Sequence, residues 1–333
     1  MSMNGGKGGD VRMLRGSGRA AALAIGAMLG LSSMVACSAV AELKAKLRFR
    51  EANQAYQSQD YARAIELYEE TLRNDPNLAQ VYFYLANSYD NLYRPGLRDP
   101  DPANDEKLTK AVQNYELAAD KLGAPEDVKL RMLTLQYLAS AYGVDKLNDP
   151  GKAEPVIQRM IQLEPQNPAN YFALAKLYED AGAYPEAEQM LVHAKTAKST
   201  DSTVYMQLAG FYNRQGQFDK TIEALEQRAA LEPNNPEAYY MISTYYWDNA
   251  QRNVSLREPE KMANVEKGLQ AVERALQIRP DYLEALVYKG LLLRTEALLE
   301  KNPARQQALI KEAVQLQNKA EELKKQKTAG AAS

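Results

Sequence analysis

The stretch NPANYFALAKLYEDAGAYPEAEQMLVHA, residues 167–194, recurs in altered form further along the chain. A second copy, DSTVYMQLAGFYNRQGQFDKTIEALEQR, begins at Asp201, and a third, NPEAYYMISTYY, begins at Asn235. Successive copies therefore start 34 residues apart. A fixed period of this length is typical of stacked supersecondary units, so each copy predicts one structural repeat of an array.

Each copy places large and small side chains at fixed helical spacing. In the first copy, the core positions are Tyr171, Leu174, Ala175 and Tyr178 in a first helix and Ala187, Leu191 and Ala194 in a second helix. Small residues let two helix axes approach, and large ones fill the space beside them. Gly182 permits a tight turn between the helices, and Pro165 ends the helix before them. Each copy therefore predicts an antiparallel helix pair.

This pattern resembles the tetratricopeptide repeat, and the resemblance covers most of the chain after residue 44. It implies an all-α fold: a right-handed α-solenoid of about six helix pairs and a C-terminal helical cap. We expect the solenoid to cover residues 45–325 and a disordered tail to cover residues 326–333. A first repeat with a polar outer face is expected, because it has no neighbour on one side.

Two repeats are longer than the others. The intervals from Tyr89 to Ala111 and from Tyr246 to Gly268 are 22 residues each, whereas Tyr178 and Ala187 are nine residues apart. Insertions between the helices of a repeat are expected as loops at one edge of the array. They are either tolerated surface loops or two lips of one groove, since long loops are often functional.

The N-terminus has the composition of a bacterial export signal. Four basic residues precede an apolar run at residues 20–31, which is shorter than the roughly 20 residues that span a bilayer. The sequence Met34-Val35-Ala36-Cys37 resembles the lipobox of bacterial lipoproteins, in which the cysteine is lipidated. We therefore expect a signal peptide at residues 1–36, a lipid on Cys37 and a short linker at residues 37–44.

Two alternatives stay open for this segment. Ala39-Val40-Ala41 is an A-x-A pattern for ordinary signal peptidase, which would release a soluble periplasmic protein. In the other alternative, the cysteine is inert in an uncut anchor. Cys37 is the only cysteine and has no intramolecular disulfide partner, which favours lipidation. Ser38 rather than aspartate follows it, and in lipoprotein sorting this implies the periplasmic side of the outer membrane.

Charge and residue content argue for binding rather than catalysis. Without residues 1–36 the chain has 37 basic and 42 acidic residues, a net charge of −5, which argues against nucleic acid as a partner. His193 is the only histidine, and the chain has no glycine-rich phosphate loop and no HExxH motif. We therefore expect no catalytic residues, no metal site and no cofactor. Carboxylates such as Glu69 and Glu70 fit solvated helix faces.

The resemblance also implies a concave groove lined by the first helix of each pair. The fifth position of these helices is mostly aromatic or apolar, and two asparagines four positions later resemble the peptide-backbone clamps of the family. Such a column suits an extended or helical peptide with apolar anchors, although it could instead pack between helices. The candidate groove residues are Phe49, Asn53, Phe83, Asn87, Phe172, Met206, Tyr240 and the only tryptophan, Trp247.

The sequence thus predicts a protein–protein interaction scaffold of the bacterial cell envelope. We expect it to bind a partner protein or peptide in the groove and to reach the membrane through a lipid on Cys37. An alternative from another class is an envelope hydrolase that uses two carboxylates on cell-wall polymers. A further alternative is self-assembly through the exposed end repeats.

Overall fold

The computed structural model describes residues 40–96 and 101–330, which are helical apart from short turns and contain no strand. The predicted all-α fold class is confirmed. The helices are α1 (40–57), α2 (Tyr61–Asn74), α3 (Ala79–Leu92), α4 (Pro102–Lys121), α5 (Val128–Ala141), α6 (Pro150–Leu163), α7 (Pro168–Asp180), α8 (Tyr184–Ala197), α9 (Ser202–Arg214), α10 (Phe218–Leu231), α11 (Pro236–Arg252), α12 (Glu258–Ile278), α13 (Leu283–Leu299) and α14 (Pro303–Gly330). A single turn of 3-10 helix, Pro125–Asp127, precedes α5.

The chain forms two compact units that divide inside α6, between Val156 and Ile157. In the first unit, α2 packs on α3, α3 on α4, and α4 on α5. Its core combines alanines, which bring helix axes close, with tyrosines that fill the space between them. Fully buried members of this core are Ala52, Ala64, Tyr68, Ala86, Ala111, Tyr115 and Ala118.

The second unit contains four helical hairpins, formed by α7 with α8, α9 with α10, α11 with α12, and α13 with α14. The second helix of each of the first three hairpins also packs on the first helix of the next one. The small and large positions predicted for residues 167–194 lie in this core: Leu174, Ala175, Ala187, Leu191 and Ala194 are buried. The predicted helix pair is therefore confirmed at residue level.

Local sequence explains where the hairpins begin and turn. The side chains of Asn167, Asp201 and Asn235 each accept a hydrogen bond from the backbone N–H two residues later, at 3.0–3.1 Å. These caps satisfy N–H groups that a helix start leaves without partners. Gly182 adopts φ +75° between α7 and α8, a conformation that costs glycine little. The 34-residue period therefore sets the helix boundaries.

Most of the extra residues that the structure describes in the two long repeats form helix rather than the predicted loops. In the sixth repeat α11 extends to Arg252 and α12 begins at Glu258, so only residues 253–257 connect them. In the second repeat α4 already begins at Pro102, where the Asp101 side chain accepts a hydrogen bond from the backbone two residues on. The loop prediction was wrong for most of these residues, because caps and helix-forming Glu, Lys and Ala lengthen the helices.

The helical region is longer than predicted at both ends. Residues 40–44, expected in a linker, belong to α1, and α14 runs to Gly330, past the expected end at residue 325. α14 packs along α13, and the two helices form the C-terminal pair that closes the predicted array. The predicted signal peptide at residues 1–36 and Cys37 lie outside the described residues. The right-handed sense of the array stays a prediction.

Candidate binding surfaces

Aromatic rings at the fifth position of three first helices lie at seams between neighbouring repeats. In each seam, the ring contacts an aromatic residue at the sixth position of the next first helix. The ring centroids are 6.1 Å apart for Phe49 and Tyr84, 6.0 Å for Phe83 and Tyr137, and 5.3 Å for Tyr240 and Tyr288. One aromatic side chain thus covers another wherever these helices stack.

The seams change the interpretation of the predicted groove column. Phe83 has only 4% of its surface exposed, and Phe49 and Tyr240 are half-buried. Phe172 is partly buried against the core of the second unit, and Met206 is half-buried as well. A ring that fills a seam supports stacking and presents little surface to a partner. For Phe83, packing between helices replaces the predicted groove position.

The two candidate asparagines already bind tyrosines. The Tyr68 hydroxyl donates to Asn53 Oδ1 at 2.8 Å. The Tyr56 hydroxyl donates to Asn87 Oδ1 at 2.6 Å, and Asn87 Nδ2 donates to the Tyr115 hydroxyl at 3.1 Å. Asn87 is buried and connects α1, α3 and α4. Its amide therefore holds three helices together, which leaves it unsuited to clamping a peptide.

A row of tyrosines lies on the first helices of the first unit, with two members half-buried and Tyr137 38% exposed. We call Tyr56, Tyr84 and Tyr137 the tyrosine belt. The rings of Tyr56 and Tyr84 have centroids 5.5 Å apart. Tyr84 is stacked on buried Tyr68 at 6.0 Å and 18°, and Tyr137 on buried Tyr115 at 5.8 Å and 11°. The accessible rings are therefore held in place by buried ones, which makes the belt a preformed surface.

The belt offers both apolar faces and free hydroxyl groups. Tyr137 is 38% exposed, and Leu133, one turn earlier on α5, is 39% exposed. Within the residues described, the hydroxyls of Tyr84 and Tyr137 make no hydrogen bond, whereas the Tyr56 hydroxyl is used by Asn87. Burial, with a contribution from neighbouring tyrosines, raises the pKa of Tyr56 above its ordinary value.

An ion pair lies next to the buried tyrosine beneath Tyr137. Lys146 Nζ lies 2.5 Å from Asp90 Oδ1, and this carboxylate is nearly buried. The Tyr115 hydroxyl, beneath the Tyr137 ring, lies 3.4 Å from the other oxygen of Asp90. Because the two charges are paired, the surface near Tyr137 presents aromatic rings and hydroxyls rather than one sign of charge.

In the second unit, the other predicted groove residues form an aromatic contact between α11 and α13. Trp247 meets Tyr288 at 5.6 Å and 81°, and Tyr240 meets Tyr282 at 5.3 Å. The guanidinium of Arg279 lies 3.7 Å from the centre of the Tyr282 ring. Burial raises the pKa of Tyr240 to about 12. Trp247 and Tyr240 thus serve helix packing and are only partly accessible.

In the described part, the carboxylates and the histidine that could take part in catalysis or metal binding make contacts with neighbouring helices or are exposed. No group of three or more His, Cys, Asp or Glu side chains in residues 40–96 and 101–330 is arranged to hold a metal ion. His193 is exposed on α8, with its ring 6.2 Å from that of Tyr171. Glu69 accepts a hydrogen bond from the Tyr89 hydroxyl at 2.6 Å, and Glu70 pairs with Arg48 at 3.1 Å. These acids connect helices.

Family models described as tetratricopeptide repeat match residues 49–92, 146–209 and 202–244. The matched segments contain the first seam, the capped helix starts and the turn at Gly182. The chain carries tetratricopeptide repeats in these segments. Tyr56 and Tyr84 of the belt lie within them, and Tyr137 lies between two of them.

Human relatives with similar sequences are matched over part of their length. Protein IFIT1 homolog B of Homo sapiens is 26% identical over 115 residues, which are 33% of this chain and 24% of the relative. Protein O-mannosyl-transferase TMTC1 of Homo sapiens is 25% identical over 139 residues, 42% of this chain and 15% of the relative. The chain thus spans a quarter or less of the length of each of these relatives.

A solved tetratricopeptide structure supports the fold over most of the chain. The C-terminal part of a TPR repeat-containing protein from Cytophaga hutchinsonii has a TM-score of 0.54 and 18% sequence identity. The alignment covers 83% of this chain and 98% of that one. At this identity the likeness concerns the fold alone. In the described part, no helix combines the length and apolarity that a membrane crossing requires.

Tyr84 and Tyr137 were not among the groove residues predicted from the sequence. Both directly follow the fifth position, which the predicted groove column used instead. The signal was present, because an aromatic residue also follows the fifth position at Tyr288. Only the packing shows that the sixth-position ring contacts the fifth-position ring of the preceding first helix.

Proposed function

We propose that the chain is a protein-interaction scaffold whose tyrosine belt binds an extended segment of a partner protein. The observation that carries this proposal is the pair of unpartnered hydroxyls on Tyr137, which is 38% exposed, and Tyr84, which is half-buried, each on a ring stacked against a buried tyrosine. Tetratricopeptide repeats and a matching solved fold support a binding role. Phe83 of the predicted column is buried in a seam, and this supports placing the binding surface on the belt instead.

The chemistry of the belt suits an extended peptide with apolar side chains. Tyrosine supplies a large contact area with little loss of conformational entropy, and its hydroxyl reaches polar groups at the edge of the contact. An extended backbone has carbonyl oxygens that need donors, and the hydroxyls of Tyr84 and Tyr137 supply them. Leu133 adds an apolar anchor one turn from Tyr137. Affinity would come from a few buried rings rather than from charge.

The experiment has two steps: the first identifies the partner protein, and the second measures whether the partner binds at the tyrosine belt. A photo-crosslinking amino acid at Leu133 in living cells captures what lies on the belt, and the same residue at Tyr184 on α8 is the control, because Tyr184 is also exposed. The captured partner is then purified and titrated against the full chain. We expect Tyr137→Ala to weaken binding at least tenfold, about 1.4 kcal/mol. Tyr137→Phe, which removes only the hydroxyl, should weaken it less.

Two results would overturn the belt as the binding surface. One is that Tyr137→Ala binds the partner as tightly as the original chain. The other is that the crosslinker at Tyr184 captures the same partner with the same yield. Circular dichroism of each variant shows whether it is folded, so a loss of binding is not confused with a loss of structure.

We further propose that the scaffold acts in the bacterial cell envelope, anchored by a lipid on Cys37. The basic start, the short apolar run and the sequence Met34-Val35-Ala36-Cys37 support this location. Several acyl chains anchor a protein firmly, whereas one chain anchors it weakly. The full chain and Cys37→Ala are expressed in a bacterium with a palmitate analogue, and membranes are separated.

We expect label and membrane attachment in the original chain and their loss in Cys37→Ala. If the original chain is unlabelled and soluble after cleavage at Ala41, the lipid anchor is excluded. The chain then acts as a free periplasmic scaffold.

A further inference from the structure

The last hairpin of the second unit contains an open groove between α13 and α14. The groove has a volume of about 530 Å³. Its walls are Leu283, Val287 and Leu291 from α13 and Ala313, Gln317 and Ala320 from α14, and its rim is Arg294, Glu321 and Lys324. Val287 is 40% exposed at this site. Within the residues described, no helix covers it.

The preceding hairpin shows what fills the corresponding place. Val287 is at the fifth position of α13, where α11 has Tyr240. In the α11–α12 hairpin the next first helix, α13, covers this position with Tyr288, which contacts both Tyr240 and Trp247. The same seam in the α13–α14 hairpin has no such ring. The groove is therefore the seam of a repeat whose neighbouring helix is absent from the described part.

The shape of the groove fits a helix. Its residues recur at three- and four-residue spacing on both α13 and α14, so each helix contributes one continuous face. From Leu283 to Arg294 the face is about 16 Å long at 1.5 Å per residue, enough for about three helical turns. Ala313 and Ala320 are small, and a Cβ on Gly290 would lie 3.4 Å from the Ala313 carbonyl oxygen. These small residues bring α13 and α14 close together and form the buried floor of the groove.

The rim adds a preference for negative charge. Arg294 Nη2 donates to Gln317 Oε1 at 2.8 Å, and Gln317 Nε2 donates to Glu321 Oε1 at 3.1 Å. Within the part of the chain that the structure describes, neither Arg294 nor Lys324 forms an ion pair. Two cations thus face a single carboxylate at the rim. A helix with acidic residues beside its apolar face complements this charge.

We propose that the α13–α14 groove binds an amphipathic helix of a partner protein, with an aromatic residue over Val287 and acidic residues towards Arg294 and Lys324. The binding mode repeats the way α13 covers Tyr240 in the preceding hairpin. Because this groove is separate from the tyrosine belt, one chain carries two binding surfaces. It binds a helix at the last hairpin and an extended segment on the first unit.

The test uses the full chain and a fluorescein-labelled 18-residue helical peptide. The peptide carries tyrosine and leucine at three- and four-residue spacing on one face and glutamate beside that face. Fluorescence anisotropy gives its Kd. We expect Val287→Glu to raise the Kd at least tenfold, because a carboxylate would then lie in the apolar groove. Replacing the peptide glutamates with lysine should raise the Kd at least threefold.

Leu298→Glu is the matched control, because Leu298 is on the same helix, is 79% exposed and does not line the groove. It should leave the Kd unchanged, and so should Tyr137→Ala in the belt, which separates this proposal from the proposed function. If Val287→Glu binds the peptide with the same Kd as the original chain, the groove is not the binding site. The same conclusion follows if Leu298→Glu raises the Kd as much as Val287→Glu does.

Sedimentation equilibrium of the chain alone checks the identity of the occupant. We expect Val287→Glu to leave the oligomeric state unchanged. A dimer that Val287→Glu converts to a monomer would mean that a second copy occupies the groove, and the partner helix would be rejected.

Discussion

At the scale of single residues, Asn87 shows how one buried amide can hold three helices. Its oxygen accepts from Tyr56 and its nitrogen donates to Tyr115. Asn87→Ala would leave two tyrosine hydroxyls without these bonds, one of them on the fully buried Tyr115. We expect the free energy of unfolding to fall by about 1–3 kcal/mol, as measured by urea denaturation followed by circular dichroism.

Asn213→Ala is the control for this substitution. Asn213 is an exposed helical asparagine on α9, so its replacement should change stability by less than about 0.5 kcal/mol. If the two variants unfold at the same urea concentration, the hydrogen bonds of Asn87 do not contribute measurably to stability.

Gly268 allows α12 to approach its neighbours. A Cβ at this position would lie 2.8 Å from Leu292 Cδ2 and 3.3 Å from Tyr246 Cβ. Leu292 is fully buried, so it has little room to move. We expect Gly268→Ala to destabilise the chain by about 1–3 kcal/mol through overpacking, measured by the same urea denaturation.

The corresponding control is Gly123→Ala, because a Cβ at Gly123 would meet no atom within 4 Å. This variant should be neutral or more stable by up to about 1 kcal/mol, since alanine restricts the unfolded chain. A Gly268→Ala variant that gains stability to the same extent would show that the seam accommodates the extra methyl group.

At the scale of helices, the sequence alone predicts a helix boundary wherever that boundary depends on a local cap or turn residue. Asn167 caps α7 and Gly182 turns the chain, and both roles follow from residue type and spacing. The long repeats were predicted as loops because their proline-rich and polar composition resembles that of loops. In the structure, proline occupies the first turn of α4 and α12, where it is compatible with a helix. Composition alone does not distinguish these two uses of proline.

Lys289 illustrates a residue whose role depends on tertiary contacts. It occupies a position where the repeat usually has leucine, which makes the register of α13 difficult to establish from sequence. In the structure its ammonium lies 3.2 Å from both Glu273 on α12 and Glu312 on α14. Burial lowers the pKa of Lys289. The hydrogen bonds and negative charges of the two carboxylates raise it by more than burial lowers it, so the pKa lies above its ordinary value. These two acids, which are distant in sequence, explain why a lysine is accommodated at a position where the repeat usually has leucine.

The helical nature of the long sixth repeat leads to a direct prediction. Ala263 is exposed in α12, inside the segment that composition assigned to a loop. Ala263→Pro should cost about 3 kcal/mol or more, because proline removes a helical hydrogen bond and clashes with the preceding turn. The measurement is the urea midpoint, together with the circular dichroism signal at 222 nm.

Val254→Pro tests the neighbouring turn in the same way. Val254 is exposed in the turn at residues 253–257, and Asn253 before it has φ −80° and ψ 95°, which a following proline tolerates. This variant should remain close to the original chain in stability. If Ala263→Pro is tolerated equally well, residues near 263 are not helical in solution.

At the scale of the whole molecule, the accessible site depends on stacking that no single repeat encodes. Tyr56, Tyr84 and Tyr137 come from three helices. Their contacts join residues up to 54 positions apart in sequence, as between Phe83 on α3 and Tyr137 on α5. The sequence predicted aromatic residues on the first helices. Which ring is covered and which is accessible depends on the seams, so the belt required the structure.

Buried tyrosines throughout both units predict that the chain loses stability in alkali. Burial raises the pKa of Tyr115 in the first unit, and raises that of Tyr240 in the second to about 12, from an ordinary value near 10. Below pH 10 these phenols are protonated in the folded and unfolded chains alike, so they leave stability unchanged. Between pH 10 and 12 the unfolded chain releases protons that the folded chain retains, and stability falls.

Urea denaturation at pH 8 and pH 11 measures this loss, and Tyr240→Phe identifies the contribution of one phenol. The midpoint of the original chain should be lower at pH 11 than at pH 8. Tyr240→Phe should lose less between the two values, because phenylalanine keeps the ring contacts with Tyr282 and Tyr288 but has no proton to release. Lysine deprotonation affects both proteins alike, so the difference between them isolates the tyrosine. An equal loss in both would mean that Tyr240 ionises as readily in the folded chain as in the unfolded one.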